Sequence, residues 1–69
     1  MMNVKISFFP AKEVSETAFE DGSTVEDMLR SFGINPDGVV VTRKGVPVPV
    51  DELLEGGVEF RIIRVVSGG

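Results

Sequence analysis

The sequence predicts a two-layer α+β domain in which one helix packs on one face of a mixed sheet of four to five strands. Three observations carry that expectation. Near the start, "NVKISFF" alternates apolar and polar residues with a period of two. In the middle, Val25, Met28, Leu29 and Phe32 recur at helical spacing and form a single apolar stripe. Towards the other end, "VEFRIIRVV" returns to strand chemistry. At 69 residues, the chain has room for one domain and one core.

In the first strand, Val4, Ile6 and Phe8 point one way, Lys5, Ser7 and Phe9 the other, and Pro10 ends the run. "EVSETAF" pairs back as an antiparallel partner. Thr17 and Phe19 face inward there, because Phe19 is its one large apolar side chain. Asp21-Gly22 makes a turn, and Ser23 stands three residues before Glu26, the spacing of a capping box. Glu26 and Asp27 then fall in the first turn, where carboxylates favour the positive end of the helix dipole. A helix over about 24–32 closes at Gly33, a residue free to take positive φ, with Ile34 packing back on the last turn.

"NPDG" reads as a turn. "VVVTRKGVPVPV" holds two short strands around Lys44-Gly45, and Pro47 and Pro49 confine the second to a short or edge position. "DELLEGG" reads as a short helical turn with Leu53 and Leu54 tucked inward. In the last strand Val58, Phe60 and Ile62 share one face, and Glu59, Arg61 and Ile63 the other. The first and last strands are the longest and most apolar, which makes them central neighbours. That arrangement is the β-grasp. It accounts for residues 1–66 as one domain and leaves 67–69 as a tail ending in Gly68-Gly69.

Composition removes several classes of function. The formal net charge is −4, so the basic footprint of a nucleic-acid binder is missing. Histidine and cysteine are both absent, which removes the usual general base, the Cys–His and Ser–His nucleophile pairs and the commonest metal ligands. We therefore expect no catalytic residue and no metal site. Glu13 with Glu16, and Asp51 with Glu52, read as surface carboxylates with no pocket to make acid–base pairs of them. No apolar run approaches the ~18 residues of a membrane span. Asn3, Lys5 and Ser7 make the opening too polar for a signal peptide. The expectation is a cytoplasmic protein with no membrane partner.

Two features remain for function. One is an apolar patch on the sheet face away from the helix, with Ile63 and Val65 at its centre, joined by Phe9 and Val40 and rimmed by Lys5, Arg43, Arg61 and Arg64. The other is "RVVSGG". Ser67, Gly68 and Gly69 can reach about 10 Å, at roughly 3.3–3.6 Å per residue. The Gly68-Gly69 end, without side chains, can enter a channel that rejects any Cβ. The carboxylate it carries reacts only once activated, for example as an acyl-adenylate made with ATP. The chain contains no G-x-x-x-x-G-K-[ST] phosphate loop, so activation falls to a partner enzyme.

"DGSTVEDML", "VPVPVDELLEGG" and the terminal "RVVSGG" occur in the order found in the ubiquitin-like sulfur-carrier family, and the chain resembles that family over nearly its whole length. The family includes the thiamine and molybdopterin sulfur carriers and the small archaeal modifier proteins. The resemblance implies that an E1-like enzyme, using ATP and Mg²⁺, adenylates the Gly69 carboxylate beside Gly68. A sulfur donor then converts it to a thiocarboxylate. The sulfur passes to a thiamine, molybdopterin or tungsten-cofactor precursor or to a tRNA base. The protein itself binds no cofactor. In the modifier branch Gly69 instead joins a lysine of another protein. A non-covalent adaptor is a third reading. By position, Arg61 and Ile63 match the face that meets the activating enzyme, and Arg64 and Val65 line the approach to the tail.

Overall fold

The computed structural model describes residues 1–65; the tail expected at 67–69 lies outside them. Strand β1 (Met2–Phe9) and strand β2 (Glu13–Phe19) form an antiparallel hairpin in full register, from Met2 opposite Phe19 to Phe8 opposite Glu13. The expected parity holds. Val4, Ile6 and Phe19 are buried, while Lys5, Glu16 and Phe9 are exposed.

Helix α1 spans Val25–Ser31, and its Val25, Met28 and Leu29 are fully buried. Its cap stands one residue later than expected. Thr24, not Ser23, is the N-cap, and the reciprocal partner is Asp27 rather than Glu26. The Asp27 amide donates to Thr24 Oγ1 at 3.3 Å, and the Thr24 amide donates to Asp27 Oδ2 at 2.9 Å. Thr and Asp serve the same box as Ser and Glu, so the spacing rule fits both frames and packing selects one. At the far end the Ile34 and Gly33 amides bond back to the carbonyls of Leu29 and Arg30 at 2.9 and 3.0 Å. With Gly33 at φ +70°, this is the Schellman closure.

A 3₁₀ turn over Pro36–Gly38, capped by the Asn35 side chain, leads into strand β3 (Val39–Arg43). Lys44 and Gly45, both at positive φ, turn the chain into the three-residue strand β4 (Val46–Val48). Strand β5 (Glu59–Arg64) then runs parallel to β1 and antiparallel to β3. The five strands lie in the order β2-β1-β5-β3-β4, so the two ends of the chain supply the middle of the sheet. Phe60, Ile62 and Val41 complete the core from β5 and β3 beneath α1.

The segment between β4 and β5 corrects the sequence reading. No helical turn forms over 51–57. Leu53 is 61% exposed and makes an isolated bridge to Thr24, and only Leu54 turns inward. The backbone here serves the start of α1 instead. The Val25 and Glu26 amides donate to the carbonyls of Glu52 and Val50 at 2.9 and 2.8 Å, and the Leu54 amide to that of Ser23 at 2.8 Å. Two helix-end donors that would otherwise lack partners are thereby satisfied. Gly56 then passes β1 so closely that an added Cβ would lie 3.2 Å from that of Met2.

Candidate functional site

Strand register fixes what the uncovered sheet face displays. Phe9 of β1 stands opposite Ile63 of β5, which stands opposite Val40 of β3. The three form one apolar row across the sheet. Phe9 is 51% exposed, Val40 39%, and Ile63 is half-buried between them. Val65 continues the row's parity just beyond β5 and is 49% exposed. The next row back holds Ser7, Arg61 and Thr42 in the same opposition, and the row after it pairs Lys5 with Glu59 and Glu16. The patch expected from the sequence is therefore present, with Ile63 at its centre.

The expected rim is only half right. Lys5 and Arg61 belong to this face. Arg43 and Arg64 do not, because they fall on the parity of Phe60 and Ile62 and lie on the helix side. Arg43 is held there by Glu52 at 3.5 Å and Glu55 at 3.3 Å, which ties β3 to the segment that caps α1.

Arg64 sits at the end of a groove of about 300 Å³ floored by Phe8, Val39 and Ile62 and walled by Ile34 and Pro10. The groove follows from lengths. The seven residues of α1 span about 10 Å at 1.5 Å each, whereas the eight of β1 span about 26 Å. The helix thus leaves the far end of the sheet uncovered. Phe32, its C-cap, reaches over that end and meets Phe8 edge-on at 5.5 Å between ring centres. The sequence contains the signal for this groove, a short stripe over long strands, but the expectation did not use it.

Where the chain leaves β5, the Val65 amide donates to the carbonyl of Gly38 at 3.0 Å. The 3₁₀ turn thus pins the backbone at the point where the open face and the groove meet. Arg61, Ile63 and Val65 mark one side of this exit and Arg64 the other. Gly68 and Gly69 lie outside the described residues. Ser7, which the sequence reading did not single out, is buried beside Arg61, and its Oγ has no hydrogen-bond partner. Among the described residues no group of three or more carboxylates is placed to hold a metal ion. No described helix is long and apolar enough to cross a membrane.

A mixed sheet with parallel central strands, one helix across one face and the chain leaving from the central β5 defines the ubiquitin-like β-grasp class. The putative molybdopterin converting factor, subunit 1, of Pyrococcus furiosus shares this fold. It has a TM-score of 0.79, covering 96% of this chain and 100% of its own, at 18% identity. The chain belongs to the small archaeal modifier protein 2 family, whose model matches residues 2–66. Small archaeal modifier protein 2 of Haloferax volcanii is 34% identical over 68 residues, covering 99% of this chain and 100% of the relative. A protein of Archaeoglobus fulgidus is 46% identical over 70 residues, with 99% and 100% covered.

Proposed function

We propose that this protein presents the Gly69 carboxylate to an E1-like adenylating enzyme, which activates it with ATP and Mg²⁺. Adenylation joins the carboxylate oxygen to the α-phosphorus of ATP and releases pyrophosphate. The acyl-adenylate then has two fates that differ only in the nucleophile. Attack by a lysine amine releases AMP and makes an isopeptide bond. Attack by hydrosulfide from a sulfur donor releases AMP and leaves a thiocarboxylate, from which sulfur passes to a cofactor precursor or a tRNA base. Membership of a modifier family favours the first fate, and the sulfur-carrier resemblance of "RVVSGG" keeps the second. The protein contributes position rather than chemistry, which turns acyl transfer into a step within a docked complex. The cytoplasm, where ATP is available, is the matching compartment.

The observation that supports the reading is the anchored exit at Val65, which fixes the end of β5, with Ile63 on the open face and Arg64 on the helix side, at the last described residues. An enzyme that reaches Gly69 must lie over this end of the sheet. In this role Arg61 and Ile63 contact the enzyme, and Arg64 and Val65 flank its channel.

The test is to recover the protein from its host and analyse it by intact and tryptic mass spectrometry. A terminal oxygen-for-sulfur exchange marks the carrier. Trypsin cuts after Arg64, so a conjugated lysine carries Val65-Val66-Ser67-Gly68-Gly69 rather than a bare diglycine. Absence of both marks, with partner binding unchanged after loss of Gly69, would point to a non-covalent adaptor.

A further inference from the structure

The sheet has two edges, and they are built differently. At one edge β4 is three residues long, and Pro47 and the following Pro49 have no N–H to offer. At the other edge β2 runs for seven residues, Glu13–Phe19, with no proline or glycine. All seven pair with β1 on one side. Among the described residues no further strand pairs with β2 on the other, so alternate N–H and C=O groups along it face outward.

The side chains on this edge form a definite pattern. On the open face β2 displays Val14, Glu16 and Ala18, which reads apolar, acidic, apolar, with Val14 62% exposed. On the helix side it displays Glu13, Ser15, Thr17 and Phe19, which runs from acidic through polar to apolar. Glu20 and Asp21 extend the negative charge past the strand's end.

We propose that the β2 edge accepts an extended basic segment of a partner protein as a sixth strand. Backbone hydrogen bonds supply the attachment, and the side-chain pattern selects the partner. Directly opposed residues on neighbouring strands lie about 4.5–5.5 Å apart and interact. The added strand therefore carries a cation facing Glu16 between two apolar residues facing Val14 and Ala18, and a second cation facing Glu13. A second copy of this chain fits poorly. The antiparallel register that pairs all seven residues sets Glu16 against Glu16, and a net charge of −4 opposes self-association further. The same carboxylates that keep copies apart attract the basic strand. This surface is independent of the Gly69 chemistry.

The test uses the ¹⁵N-labelled full chain and a blocked peptide, Ile-Val-Thr-Lys-Thr-Val-Arg, whose antiparallel register places Lys opposite Glu16 and Arg opposite Glu13. The expected result is a saturable shift of amides 13–19 that weakens as salt rises. Binding should be lost when alternate peptide amides are N-methylated, and roughly fivefold weaker for Glu16→Gln, about 1 kcal/mol. A peptide with Glu in place of Lys and Arg should not bind. Three results overturn the proposal: no saturable shift, shifts centred on Ile63 and Arg61, or β2 shifts that depend on protein concentration without peptide. The last would make a second copy the occupant.

Discussion

The Val25 amide donates to the carbonyl of Glu52 at 2.9 Å, so the start of α1 is capped by backbone from the segment entering β5. The helix is therefore not an independent unit laid on a finished sheet. Its first turn, the 50–54 segment and, through the ion pairs of Arg43 with Glu52 and Glu55, strand β3 are one assembly.

Thr24 closes that assembly from the helix side, because its hydroxyl accepts the Asp27 amide. Thr24→Ala should cost about 1 kcal/mol. In a domain of this size that lowers the thermal midpoint by about 4–8 °C. Ser23→Ala, which removes the residue the spacing rule first selects, should leave the midpoint close to wild type. Calorimetry of the two variants decides between the frames, and a larger loss at Ser23 would contradict the structure.

Leu29 is fully buried where α1 meets the sheet. Leu29→Ala should cost roughly 2–5 kcal/mol in denaturant titration. That is a large share of the stability of any small domain. Phe32 is only half-buried at the edge of the groove and should cost less when truncated to alanine. The reverse order would mean that the helix is rotated about its axis.

Gly57 has φ +78° and donates its amide to the carbonyl of Asn3 at 3.1 Å. Gly57→Ala should cost roughly 1–2 kcal/mol, the strain of an L-residue in the left-handed region. Gly38 is the control: it is not at positive φ, and an added Cβ meets nothing within 4 Å. Gly38→Ala should be near neutral, and equal losses at both sites would contradict the backbone described here.

Ile63→Asp should leave the fold standing, since Ile63 lies on the face the helix does not cover, while greatly weakening binding to the proposed activating enzyme. Far-ultraviolet circular dichroism and a binding titration separate the two effects. Unfolding of the variant would mean that the faces of β5 are reversed.

Most of the fold could be read from local rules. Period-two alternation assigned the faces of β1 and β5, the stripe from Val25 to Phe32 located the helix, Gly33 ended it, and Lys44-Gly45 and Pro47 set the hairpin and its edge. The readings that failed depend on partners distant in sequence. "DELL" has the local pattern of a helical turn, but the exposed amides of Val25 and Glu26 recruit its carbonyls and draw Leu53 outward. Arg43 and Arg64 belong to the expected rim of the open face, but counting parity from Phe60 and Ile62 puts them on the other. For the candidate site, the row Phe9–Ile63–Val40 was legible, because parity is local. The groove is harder to read, because its signal lies in no single element but in the mismatch of lengths between α1 and the strands beneath it.

The central claim is that another enzyme energises the Gly69 carboxylate. It is tested most directly by mixing the purified chain with an E1-like enzyme of its host and ATP and measuring pyrophosphate release. The account predicts release with the chain of 69 residues and none with a chain lacking Gly68-Gly69, although both melt at the same temperature. Equal release from the two, or none from either, would contradict it.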